Sequence, residues 1–210
     1  MFATEELRGF PVCDFDRKTV GITGGIGSGK SVVSRILRCN GYSVYDCDRE
    51  AKILMNQDAE IVRSLREIAG DEVYSNDGFL NRKYLAERLF ADVELRLKVN
   101  ALVHEAVRND LKRCKEHLNG IFFIESAIMS TAGIDDLCDE IWLVEADENT
   151  RITRVKSRDN LSIDEIKKRI ESQKNEFDRL PETKTVRILN DGDSGLIIEI
   201  LNNLHRLNSN

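Results

Sequence analysis

Proline is nearly missing: Pro11 and Pro181 are the only two in 210 residues, so no proline-rich linker divides the chain. Cysteine pairing is missing too. Cys13, Cys39, Cys47, Cys114 and Cys138 are scattered, odd in number and form no CxxC pair. That argues against a disulfide framework or a zinc site and predicts free thiols in a reducing cytoplasm. His104, His117 and His205 add no ligand cluster. No apolar run approaches the roughly 18–20 residues that span a bilayer. Glu5, Glu6 and Arg8 stand where a signal peptide would carry its apolar segment, so no membrane partner is expected. Positive charge is in deficit, with 31 basic against 37 acidic residues. A broad nucleic-acid-binding face would need clustered cations, and this balance speaks against one. It leaves room for a nucleotide site, because backbone N–H groups hold phosphate with few cations.

What is present reads as an α/β protein. Five short β-branched runs, Thr19–Thr23, Ser43–Cys47, Ile121–Ser126, Ile141–Ala146 and Val186–Asn190, predict strands. Several are apolar throughout, as strands of a parallel sheet covered on both faces must be. Helical patterns alternate with them. One apolar stripe runs from Asp92 to Leu118, and Ser162 with Glu165 forms a capping box that opens a charged helix from Ile163 to about Lys174. Strands alternating with helices imply a doubly wound sheet. About seventy residues separate the second run from the third and about forty the fourth from the fifth. Both exceed a simple crossover and predict insertions over the C-terminal edge of the sheet, where such folds bind ligands.

Gly24-Gly25-Ile26-Gly27-Ser28-Gly29-Lys30-Ser31 matches G-x-x-x-x-G-K-[ST], with a predicted strand before it and a helix after it. Its N–H groups would point at phosphate, Lys30 would reach the β- and γ-phosphates of ATP, and the Ser31 hydroxyl would ligate Mg²⁺. A GTPase-type switch would need Asp-x-x-Gly and usually Asn-Lys-x-Asp, and neither occurs. A kinase needs an acceptor site, a base and covering cations. The second strand is read as ending Asp46-Cys47-Asp48, which would put both carboxylates on one face beside the loop and Cys47 in the core; a strand-end turn or helix cap, both of which aspartate favours, is the plain alternative. After the fourth strand, Arg151, Arg154 and Arg158 fall at i, i+3 and i+7, one face of a helix, and suggest a lid; a solvated surface helix is the plain alternative. His104 and Arg108 share a helix face, either across the cleft from the acceptor or packed. Glu125 ends the third strand and either binds Mg²⁺ through water or is satisfied by backbone.

Ile22 to Ser31, Gly41, Asp46-x-Asp48, Gly78 to Arg82, Leu85, Phe90, His104-x-x-x-Arg108, Arg154, Ser157-Arg158-Asp159, Gln173 and Asn190-Asp-Gly192 together resemble the dephospho-coenzyme A kinase family, from about Lys18 to Gly192. The resemblance implies a P-loop core with a five-stranded parallel sheet (18–50, 121–150 and 185–210), a helical domain for the acceptor (51–120) and a helical lid (151–184). It implies transfer of the ATP γ-phosphate to the ribose 3′-hydroxyl of dephospho-CoA, the last step of coenzyme A synthesis. The family's base falls on Asp48, its phosphate loop on Gly24 to Val32, and its lid arginines on Arg154 and Arg158. Asn190 and Gly192 are placed near adenine, and Asp46, Arg82, His104 and Arg108 near the acceptor. Val32 stands where the family usually has Thr, Asn81 where it has Asp, and Glu105 where it has Pro. Residues 1–17 have no counterpart and are read as an N-terminal extension. A nucleoside or nucleoside-monophosphate kinase is the first alternative, and a regulatory P-loop switch the second.

Overall fold

A computed structural model describes residues 17–159, 161–192 and 195–209. The N-terminal extension, apart from Arg17, and Cys13 within it lie outside the described residues. Five strands, β1 (Lys18–Thr23), β2 (Val44–Asp46), β3 (Ile121–Glu125), β4 (Glu140–Glu145) and β5 (Thr185–Leu189), form one sheet in the order β2-β3-β1-β4-β5, with every neighbouring pair parallel. Each lies within one or two residues of its apolar run.

Alternation along the strands sends side chains into two layers. On one face Val20, Ile22, Phe123, Trp142, Val144 and Ile188 pack against α1 (Lys30–Cys39), through Val33 and Leu37, and against the C-terminal helix Gly195–Ser209. On the other, Tyr45, Phe122, Ile124, Ile141 and Leu143 meet Val107 and Leu111 of the long helix Val93–Glu116. β1 contributes Gly21 to that second face, where a Cβ would sit 2.6 Å from the sulfur of buried Met129.

Between β2 and β3 run α2 (Cys47–Gln57), α3 (Ala59–Ala69), α4 (Arg82–Ala91) and α5 (Val93–Glu116). Ile61, Leu65, Val73, Leu85, Leu95 and Val99 give this insertion a core of its own. Each of these four helices starts on an Asp or Asn whose side chain accepts a backbone N–H: Asp46, Asp58, Asn81 and Asp92. Between β4 and β5 lie α6 (Glu148–Arg158), α7 (Ile163–Ser172) and α8 (Lys174–Phe177), and α9 (Gly195–Ser209) follows β5. The capping box opens α7 as the sequence predicts. The helix does not run on to Lys174; it stops at Ser172, and Gln173 makes the bend into α8. α5 ends at Glu116, and Leu118, the last residue of the apolar stripe, packs on the same core just beyond it. No helix among the described residues is long and apolar enough to cross a membrane.

Candidate active site

The phosphate loop joins β1 to α1, the strand-loop-helix context its motif requires. Two of its glycines are steric necessities. Gly24 has φ 152°, and a Cβ there would collide with the Val144 carbonyl oxygen; Gly29 has φ 102°, and a Cβ there would collide with the Asn190 amide. The Lys30 ammonium donates to the Gly24 carbonyl at 2.6 Å. Burial lowers its pKa, opposed by the carboxylates of Glu125 and Asp48 and reinforced by Arg151 and Arg158. Four sequence-distant charges therefore converge on this one lysine.

A cavity of about 520 Å³ lies over the loop, lined by Gly25, Ile26, Gly27, Gly29, Lys30, Ser31 and Val32, by Asp48, Glu125 and Ala127, and by Arg154, Arg158, Arg169 and Gln173 of the α6–α8 segment. A second cavity of about 400 Å³ shares Lys30, Asp48 and Glu125 and adds Asp46, Arg49 and Lys52. Lys30, Asp48 and Glu125 thus stand where the two spaces meet. Burial pushes the Glu125 carboxyl above its ordinary value; Asp46 adds to this, and Ser34, Lys30 and Arg38 oppose it.

The two aspartates differ from the strand reading. β2 stops at Asp46, so Asp46 and Asp48 are not two residues apart on a strand face. Asp46 is the N-cap of α2, accepting the N–H of Arg49 at 3.0 Å, and Asp48 is in the first helical turn. Aspartate suits strand ends and helix caps alike, and the cap won because the chain turns at once into α2. Cys47 is buried in the sheet core, as expected, and burial lifts its thiol well above the ordinary range.

The arginines of α6 divide. Arg151 Nε donates to the Ile26 carbonyl at 2.9 Å. Arg154 reaches the carbonyls of Gly27 and Ser28 at 3.3 and 3.4 Å and the Asn190 amide oxygen at 3.3 Å. Arg158 lines the larger cavity with its guanidinium on Asp159 at 2.9 and 3.0 Å. Asn190 is buried, and its Nδ2 donates to the Ser28 carbonyl at 2.8 Å, so both ends of its amide are engaged by protein. Gly192 lies beside Arg154, whose Nη2 would be 3.8 Å from a Cβ there.

Of the residues expected at the acceptor, Asp46 lines the second cavity beside Asp48, and the other three stand apart. Arg82 is the exposed first residue of α4, and neither it, His104 nor Arg108 lines either cavity containing Lys30. Arg108 donates to the Ala132 carbonyl at 2.8 Å. His104 is half-buried; burial and then Arg108 lower its pKa, while Glu176 opposes. Sequence reasoning passed over Arg169, Arg49 and Lys52. Arg169 is four residues before Gln173 and so on its helix face, and Arg49 and Lys52 follow the aspartates at helical spacing; each pattern was visible but pointed nowhere without the fold.

Comparison with known proteins agrees with this geometry. The sequence matches the family described as Dephospho-CoA kinase over residues 18–195. It is 39% identical to the dephospho-CoA kinase of Bacteroides fragilis over 184 residues, covering 87% of this chain and 89% of that one. It is 33% identical to that of Staphylococcus aureus over 193 residues, 90% and 91% of the two chains. A crystal structure from Thermus thermophilus superposes with a TM-score of 0.76 at 29% identity, covering 90% of this chain and 97% of that one. The family match across residues 18–195, with relatives 39% and 33% identical over most of the chain, places this protein in the dephospho-CoA kinase family.

Proposed function

We propose that the protein transfers the γ-phosphate of ATP to the ribose 3′-hydroxyl of dephospho-CoA, yielding coenzyme A and ADP. The observation that carries the reading is the placement of Lys30, Asp48 and Glu125 at the junction of two cavities, one over the phosphate loop and one over Asp46, Arg49 and Lys52. Donor and acceptor would meet there.

Loop N–H groups from Gly24 to Val32 hold the donor phosphates, and Lys30 offsets charge on the bridging oxygen as it leaves. Asp48 orients the acceptor hydroxyl and takes its proton. Phosphoryl transfer is largely dissociative, so this proton can leave late and aiming the oxygen is the larger task. Arg154 and Arg158 cover the transferring group from the 151–184 lid. The Ser31 hydroxyl and the Glu125 carboxylate, both lining the larger cavity, offer the hard oxygen donors that Mg²⁺ takes, Glu125 through water. Bound Mg²⁺ would supply charge compensation between the phosphates. The helical insertion, 51–120, would hold the remainder of dephospho-CoA, with Arg82, His104 and Arg108 as candidate contacts on it, and Asn190 and Gly192 would border the base of ATP.

An acceptor panel tests this. ATP and Mg²⁺ are incubated with dephospho-CoA, adenosine and nucleoside monophosphates, and products are separated by mass. Phosphorylation of dephospho-CoA with far higher kcat/KM than adenosine is expected, because remote binding energy is lost with the small acceptor. Equal values would favour a nucleoside kinase, and slow hydrolysis without any transfer would favour a switch.

A further inference from the structure

Ile26 is held by the α6–α8 segment at every part of the residue. Its side chain packs against the small core of Val155, Ile166 and Ile170. Its carbonyl accepts from Arg151 Nε at 2.9 Å, and its N–H donates to Gln173 Oε1 at 2.8 Å. Ile26 is also the third residue of the phosphate loop, and it lines the larger cavity together with Gln173. The N–H groups of such loops are phosphate donors. One N–H makes one good hydrogen bond, so a phosphate oxygen and the Gln173 amide oxygen compete for the same proton.

We propose that Gln173 is a positioning residue that gates the phosphate loop: it holds the Ile26 N–H until a nucleotide phosphate displaces it, so that the loop's occupancy is transmitted directly to the bend between α7 and α8. This rests on the nucleotide part of the reading above and is independent of the acceptor. Arg151 makes the competition effective. It fixes the Ile26 carbonyl, and its Nη2 lies against Gly25, which has no side chain to exclude it. The loop therefore cannot swing away to satisfy both acceptors. The device operates at the turn where α7 ends at Ser172 and α8 begins at Lys174.

The test is binding of the non-hydrolysable β,γ-imido analogue of ATP, with Mg²⁺ and no acceptor, to the parent, Gln173→Leu and Gln173→Glu. Removing the competing acceptor should tighten binding in Gln173→Leu by about two- to tenfold, the worth of one hydrogen bond. The same variant should unfold at a slightly lower temperature without nucleotide, because the lid has lost a hold on the loop. Opposite movement of stability and affinity is what a merely structural glutamine would not give. Gln173→Glu keeps an acceptor and adds a charge beside the phosphates, so it should bind several-fold more weakly than the parent. Affinity in Gln173→Leu equal to or below the parent's, or Gln173→Glu binding more tightly than the parent, overturns the proposal. A parent that binds no analogue removes the nucleotide reading together with it. A parent that binds the analogue but phosphorylates some other acceptor leaves it standing.

Discussion

The carboxylate of Asp46 accepts the backbone N–H of Arg49 at 3.0 Å, and this cap starts the helical turn that carries Asp48 into the cavity of Lys30. The two aspartates thus have separable tasks. Asn is as good an N-cap as Asp, whereas Ala loses the cap at about 1 kcal/mol. Asp46→Asn should retain stability and much of the turnover. Asp46→Ala should lose both, through displacement of Asp48. Asp48→Asn should fold and bind ATP as the parent does and lose most of kcat, because it cannot take the acceptor proton. Single-turnover transfer and ATP affinity measured on all three variants decide it; parental turnover in Asp48→Asn would move the base elsewhere.

Much of this was legible in the sequence, and the failures have causes. The five strands and the phosphate loop come from local signals: short β-branched runs, several of them apolar throughout, glycines at fixed offsets, and a helix start beside Ser31. Asp46-Cys47-Asp48 defeated the strand reading because the residue type that ends a strand also begins a helix. The spacing of His104 and Arg108 says that they share a helix face but not which way it points, and Arg108 turned to the Ala132 carbonyl. A capping box marks where a helix starts and is silent on where it stops, so Gln173 was read into α7. The clamp on Ile26 joins side chains to backbone across more than a hundred residues, beyond the reach of any periodicity.

Gly24 should be the least replaceable loop glycine. At φ 152° an alanine is strained, and its Cβ meets a main-chain oxygen, that of Val144, which cannot move without shifting β4. Gly41 also has a positive φ, 85°, but open space around it. Gly41→Ala should therefore cost only backbone strain, about 1 kcal/mol. Gly24→Ala should cost at least about 2 kcal/mol, some 4–8 °C in Tm, and abolish nucleotide binding. Thermal unfolding of both compares them directly; equal losses would show that the Val144 contact relaxes freely.

Glu140 ties α9 to the start of β4. Its oxygens accept from Arg206 at 2.6 and 2.8 Å and from Trp142 Nε1 at 2.7 Å. Burial alone would raise its pKa, but the Arg206 and Trp142 bonds outweigh burial and hold it below the ordinary 4.5. A depressed carboxyl contributes stability that is present above the unfolded value and is lost as pH falls through the folded one. Glu140→Gln should therefore cost about 1 kcal/mol between pH 5 and 8, a modest figure because Arg206 is partly solvated. The gap from the parent should close below pH 4.5. Urea titrations across pH measure it, and a gap that does not shrink as pH falls below 4.5 would mean that packing, not charge, holds the two elements together.

Arg158 is exposed on most of its surface and already paired with Asp159, the usual description of a charge that does nothing. Two facts point the other way. It lines the cavity above Lys30, and it is close enough to depress the ammonium there. A guanidinium held along its Nε–Nη2 edge by a carboxylate has less freedom to lose when its remaining N–H groups meet a phosphate. Arg158→Ala should lower kcat by about a hundredfold with little change in Tm, the size expected for one donor aimed at developing charge. Arg158→Lys keeps the charge but not the fork, and should fall between the two. Asp159→Asn leaves the arginine in place and unaimed, so a loss of about two- to tenfold in kcat is expected, the scale of one hydrogen bond. Steady-state kinetics and melting curves on the three variants separate the possibilities: parental kcat in all of them would return Arg158 to the solvated face of α6.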